Sequence, residues 1–104
     1  MIILISSQRY IDDEIVAQKI INQDFTVQIS PIFTVEDDQY IAIMDGHHSY
    51  HAAIEAGVEP EYYEQNVTEN DNISLLENGE IDYFLESCYV DSDWYNIKTG
   101  VSIW

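Results

Sequence analysis

Basic side chains are almost missing from this chain: Arg9, Lys19 and Lys98 face 20 acidic residues, for a net charge of −17 over 104 residues. Nucleic-acid affinity comes largely from Lys and Arg neutralising phosphates, and a field of this sign repels a polyanion across the ~8 Å Debye length of physiological salt. Direct binding of DNA or RNA is therefore not expected. Between Lys19 and Lys98 no fixed positive charge interrupts seventeen carboxylates, which are spread along the chain. Such a field speeds encounter with a basic surface, including one built to hold nucleic acid. The plainer alternative is a solvated, solubility-promoting surface.

Cysteine is nearly as scarce. Cys88 alone can form neither an internal disulfide nor a zinc-binding Cys pair, which makes the cytoplasm the expected compartment and the sequons at Asn66 and Asn72 chance matches. Long apolar runs are absent too. Nothing approaches the ~20 residues of a membrane span, and Met1-Ile2-Ile3-Leu4-Ile5, with neither a basic leader nor a small-residue cleavage site, reads as a first strand. No repeat, linker or low-complexity block divides the chain, so residues 1–104 are expected to form one domain.

What is present argues for folding. The composition is 46% hydrophobic, with eight Tyr, three Phe and two Trp, too rich in large apolar side chains for a disordered acidic tail. Apolar residues at Ile11, Ile15, Val16, Ile20 and Ile21 predict a helix over Ile11 to Gln23, with Asp12, Asp13 and Glu14 where the dipole favours acid. Alternation predicts strands at Phe25 to Ile29 and Ile32 to Val35, interrupted by Pro31, then a turn and a hairpin partner at Tyr40 to Met44. A helix from His47 to Ala56 should stop at Gly57. Beyond Pro60 come a strand from Glu61 to Val67 and a loop over Thr68 to Asn72, in which Asn72 is placed to cap a short turn. A helix over Glu80 to Tyr89 and a terminal hairpin turning at Gly100 complete the chain. The expected fold is α+β: a small mixed sheet with two or three helices and a C-terminal hairpin. Tyr62, Tyr63, Tyr83, Tyr89, Trp94, Tyr95 and Trp104 should lie mostly in the core, any exposed ones serving as interface anchors.

The chemically suggestive segment is Asp45-Gly46-His47-His48-Ser49-Tyr50-His51-Ala52-Ala53, on a strand-to-helix junction. Such a junction offers unpaired backbone N–H groups and the positive end of a helix dipole, and Gly46 would let the backbone approach a ligand closely. Asp45, Gly46, His47, His48 and Ser49 are thus candidates for holding phosphate or another ligand, with His47 and His48 as general acid or base. Alternatively Asp45, His47 and His51, the two histidines sharing a helix face at i and i+4, could gather a divalent metal. In the plain structural reading His47 and His48 satisfy backbone groups or face water, and His51 lies on the surface.

The stretch Ile41-Ala42-Ile43-Met44-Asp45-Gly46-His47-His48-Ser49-Tyr50-His51-Ala52-Ala53-Ile54-Glu55-Ala56-Gly57 resembles the core motif of ParB/sulfiredoxin-like domains, over about residues 27 to 58. The resemblance implies that fold, with a motif helix that receives nucleotide phosphate; its members include partition proteins, kinases, sulfinic-acid reductases and nucleases. Ser49 stands where the family motif usually has its phosphate-binding arginine, and no Lys or Arg lies in the matched segment. Losing that charge-assisted contact costs ~1.5–3 kcal/mol per good hydrogen bond. A divalent metal held by Asp45, His47 or His48 would supply the charge otherwise missing. Cys88 falls outside the motif, where the sulfiredoxin nucleophile belongs.

Two functions follow. In the first, a ParB-like binding or inhibitory module without cofactor presents acid to a basic partner such as a nucleic-acid-binding host protein, as a DNA-mimic inhibitor of the phage or mobile-element anti-defence type would. Glu59, Glu61, Glu64, Glu69, Asp71, Glu80, Asp82, Glu86, Asp91 and Asp93 are its candidate surface. In the second, a minimal metal- or nucleotide-dependent phosphotransfer enzyme or nuclease uses the Asp-Gly-His-His turn. Net charge and Ser49 favour the first.

Overall fold

The computed structural model describes residues 1–104 as β1 (Ile2–Ser6), α1 (Asp13–Ile21), β2 (Thr26–Ile29), β3 (Phe33–Val35), β4 (Asp38–Asp45), α2 (His47–Ala56), β5 (Glu61–Glu64), α3 (Ile73–Glu77), α4 (Ile81–Ser87) and β6 (Tyr95–Asn96). This is an α+β arrangement of four helices on a mixed six-stranded sheet of order β5-β2-β4-β1-β6, with β3 also paired to β4. No helix is long and apolar enough to cross a membrane.

β4 is the spine. One edge carries β1 in parallel, Ile3 opposite Tyr40 and Ile5 opposite Ala42. The other carries β3 and β2 in succession, both antiparallel, with Phe33 opposite Tyr40 and Ile29 opposite Ile43. β2 and β3 are therefore one strand broken at Ser30-Pro31, where proline has no N–H to give. Ser30 repairs the break: its N–H donates to Ala42 O at 2.9 Å, and its Oγ accepts from the Ala42 N–H at 3.0 Å. The side chain thus stands in for a missing rung of the ladder, in a site with no exposure to solvent.

Alternation along the strands separates two apolar clusters. Ile3, Ile5, Phe33, Tyr40, Ala42 and Met44 meet Ile73 of α3, Phe84 of α4 and Trp94 on one face. Leu4, Val27, Ile29 and Ile43 gather with Tyr50 of α2 in the other cluster. α1 packs on α2 and is capped by Asp12, whose carboxylate accepts from the Glu14 and Ile15 N–H groups. Only Val16 of its apolar stripe is buried, and Ile15 and Ile21 are exposed, because a helix lying on another helix has a narrower contact than one lying on a sheet.

The structure corrects four expectations. Four helices form rather than two or three, the extra one being α3, whose five residues are too few to show a period. Asn72 does not cap it: Asn72 has helical dihedrals and its side chain makes no cap bond. The terminal hairpin shrinks to β6 and a single bridge, Tyr95 to Ser102, because β6 spends its other edge on β1. Of the seven late aromatics only Trp94 and Tyr95 are buried; Tyr62, Tyr63, Tyr83, Tyr89 and Trp104 remain exposed. The core is filled instead by Phe33, Tyr40, Ile73 and Phe84, leaving no room for them.

Ser30→Ala should leave the buried Ala42 N–H without a partner and cost about 1–3 kcal/mol. Thr34→Ala, exposed on β3, should change stability by no more than about 0.5 kcal/mol. Urea unfolding of the two variants checks the difference, and equal midpoints would show that the Ser30 rung carries nothing.

Candidate functional site

The Asp45-to-Ala53 segment does form a strand-to-helix junction, but its side chains part company there. Gly46 has φ +85°, a left-handed conformation, and a Cβ at this position would lie 2.5 Å from the Thr26 carbonyl oxygen and 3.1 Å from the Val27 Cα. The close approach that requires glycine is therefore to the β2 backbone. No ligand is needed to explain it.

Asp45, Gly46 and Ser49 turn toward a wholly polar cleft of about 260 Å³, which they share with Lys19, Asp24, Thr26 and Gln28. Lys19 Nζ lies 2.8 Å from Asp24 Oδ2, and the Ser49 hydroxyl donates to Asp24 Oδ1 at 3.4 Å. The hydrogen bond from Lys19 holds the Asp24 carboxyl below the usual carboxylate range. Asp45 accepts from the Gly46 N–H at 2.7 Å, so one amide of the turn is already engaged. With two carboxylates against one ammonium, the cleft has the wrong sign for phosphate. Lys19, Asp24, Thr26 and Gln28 were invisible to the motif because they come from α1, the loop after it and β2.

The histidines belong to the interior. His47 is 4% exposed, with Nδ1 3.4 Å from the Ser6 hydroxyl and its ring edge-to-face with His51 at 4.8 Å. His48 Nε2 accepts the Asp12 N–H at 3.1 Å, tying the start of α1 to the start of α2 and requiring the neutral ring to carry its proton on Nδ1. His51 is half-buried rather than a surface residue, and its Nε2, like that of His47, is buried without a partner. Two unpartnered imidazole nitrogens invite a metal, but Asp45 does not join them. No three His, Cys, Asp or Glu side chains converge to hold one, so the residues present do not fit a divalent ion. Burial pushes His47 down to about 4, with His51 and His48 adding to the effect and Asp91 opposing it; His51 is lowered by burial and by His48. Burial also raises the Cys88 thiol to about 11, leaving it protonated and unreactive at neutral pH.

The ten candidate surface carboxylates are all exposed, but they do not form one patch. Glu61 and Glu64 lie on β5, one outer strand of the sheet, whereas Asp91 and Asp93 precede β6, the other. Asp82 and Glu86 lie on α4, where with Asp93 they edge an apolar groove lined by Val35, Ile81, Leu85, Tyr89, Trp94 and Trp104. The groove escaped the sequence reading because its walls come from three distant segments. The run of exposed aromatics was its one signal. Comparison with models of protein families, with curated proteins and with solved structures finds no match to this chain.

Gly46→Ala should lose about 2–4 kcal/mol, combining left-handed strain with overlap on the Thr26 carbonyl. Gly57→Ala, also at positive φ but with nothing within 4 Å of the added carbon, should lose only about 1–2 kcal/mol. Equal losses in thermal or urea unfolding would remove the packing role from Gly46.

His47 and His51 set a pH dependence whose sign follows from their depressed values. As pH falls through 6.5 the unfolded chain takes up a proton that folded His47 refuses until about 4, so stability is lost across that window and levels off below it. At pH 5.5 His47 alone should cost on the order of 1 kcal/mol relative to neutral pH. Asp24, whose carboxyl the Lys19 hydrogen bond holds down, adds a loss of the same sign at lower pH. His47→Phe should flatten the fall in unfolding free energy between pH 7.5 and 5.5, whatever its absolute stability; an unchanged slope would show that His47 is not the titrating group.

Proposed function

We propose that this protein is a small acidic binding or inhibitory module, built on a ParB/sulfiredoxin-like domain, that occupies the basic surface of a nucleic-acid-handling protein. The observation that carries this reading is the disposition of charge. Every carboxylate except those of Asp12 and Asp24 is exposed, and the cations scarcely answer them. Arg9 stacks on the Tyr95 ring at 3.9 Å and donates to the Gly100 carbonyl, and Lys19 is paired to Asp24. Lys98 alone stays exposed with no side-chain partner within the chain.

The family part of the proposal rests on the strand, left-handed glycine and helix of β4, Gly46 and α2, which carry the matching residues. The inhibitory part rests on sign: a surface this acidic competes with nucleic acid for the same basic groove. A phage or mobile-element protein opposing a cytoplasmic host defence has need of such a device. The enzyme alternative loses support where its residues separate, with Asp45 and Ser49 in an acidic cleft and His47 in the core.

Capture from a host lysate on the immobilised protein tests the reading. Basic, nucleic-acid-handling proteins should bind at low salt, and both high salt and added duplex DNA should release them, because the attraction is screened and competed. Neutralising Glu61, Glu64, Asp82 and Glu86 together to Gln or Asn should weaken capture while leaving the fold intact. Retention of full capture by that variant, with loss on Asp45→Asn, would overturn the proposal, as would micromolar binding of ATP, CTP or GTP with magnesium.

A further inference from the structure

The groove against α4 combines features that the rest of the acidic surface lacks. Its volume of about 390 Å³ falls at the small end of ligand clefts, about 300–1,000 Å³. The floor is rigid and apolar. Trp94 is buried and its indole N–H is satisfied by the Leu85 carbonyl at 3.1 Å, so the ring presents only hydrocarbon. Trp104 leans on the Tyr40 ring at a centroid distance of 5.0 Å yet stays 41% exposed, and Tyr89 is 53% exposed. Tryptophan and tyrosine held against a packed core dominate binding hot spots.

Around this floor the charge has one sign. Asp82 and Glu86 sit at i and i+4 on α4, Asp93 lines the same groove, and no Lys, Arg or His does. Like charges at that spacing oppose helix formation, and the chain's one carboxylate–ammonium salt bridge, Lys19 to Asp24, is elsewhere. The complement of such a rim is cationic.

We infer that this groove receives a short basic segment of a partner protein, one bulky apolar side chain seated on the Leu85, Trp94 and Trp104 floor and flanking Lys or Arg side chains paired to Asp82, Glu86 and Asp93. The inference rests on the proposal that the acidic surface recognises a basic protein, and it names where and how. Other occupants meet the charge. A nucleic acid or an anionic lipid surface is repelled by the rim, and a second copy would bring together two bodies of net charge −17. A basic amphipathic segment gains from both floor and rim.

The two tryptophans of the chain both line the groove, so intrinsic fluorescence reports on it directly. The probe is a synthetic amphipathic Leu/Lys peptide of about fourteen residues, long enough to be helical once bound, compared with a Lys/Gly/Ser peptide of equal charge and length. Neither contains Trp or Tyr. The Leu/Lys peptide should shift the tryptophan emission and bind about tenfold more tightly than the control. Trp104→Ala should abolish that advantage and leave binding of the control unchanged. Tyr89→Ala, at an exposed position, should reduce it in the same direction and guards against a folding defect in the first variant, which circular dichroism checks. Asp82→Asn with Glu86→Gln should weaken both peptides.

If both peptides bind equally, the groove assignment fails while recognition of basic partners stands. If neither binds, both fall. A Leu/Lys advantage that survives Trp104→Ala and Tyr89→Ala would place the apolar contact elsewhere and overturn the inference.

Discussion

Because β4 is bonded along both edges, with β1 on one side and the broken β2–β3 strand on the other, every other element takes its place relative to this strand. Its end delivers the chain into α2 through Gly46, whose backbone is pressed so closely onto β2 that no side chain fits. That contact fixes the start of α2. From there His48 reaches the Asp12 N–H and so fixes the start of α1. The imidazoles that resemble catalytic groups in the sequence thus serve the junction as a packed ring and a backbone acceptor. A turn rich in glycine and histidine is a good scaffold for the same reason that it is a good ligand site: it brings unpaired polar groups together at close quarters.

What was legible in the sequence follows from what periodicity encodes. α2 begins and ends where the pattern puts it, from His47 to Ala56 with Gly57 left-handed after it, because a strand-to-helix switch and a glycine stop are local signals. The hairpin of β3 and β4 was equally local. The parallel pairing of β1 with β4 and of β5 with β2 joins residues far apart in sequence, and no local pattern announces it. The aromatics misled for a related reason. Tyr83 and Tyr89 flank apolar positions of α4, yet the sheet has room for only one face of that helix, which Phe84 fills. The candidate site was half legible. Asp45, Gly46 and Ser49 do share a cleft, while the Lys19 and Asp24 that decide its charge arrive from another element.

The distribution of charge sets a second constraint. A fold with net charge −17 repels itself, and its buried residues must outweigh that repulsion. Most of this core is a sheet face, α3, α4 and Trp94, anchored by Ile5, Phe33, Tyr40, Ile73 and Phe84. All but the Asp12 and Asp24 carboxylates are exposed, where water screens them. Glu61 and Glu64 on the outer strand β5 also discourage edge-to-edge pairing with another sheet. Arg9 is spent on joining the N-terminal strand region to the last turn, over Tyr95 and onto Gly100, rather than on neutralising the surface.

Solubility alone would explain carboxylates, but not the company they keep. A solvated surface gains nothing from exposed aromatics, which cost free energy in water and invite association. Tyr89 and Trp104 nevertheless stand open between Asp82, Glu86 and Asp93, although a core that left Trp94 and Phe84 buried had already been completed beneath them. Folding does not require these rings to be exposed, and like-charge repulsion on α4 works against the helix that frames them. Features that burden the isolated fold in two independent ways, through apolar exposure and through uncompensated charge, are most simply reconciled when a partner relieves both at once. On the proposed reading, that partner brings an apolar side chain to the first and a cation to the second.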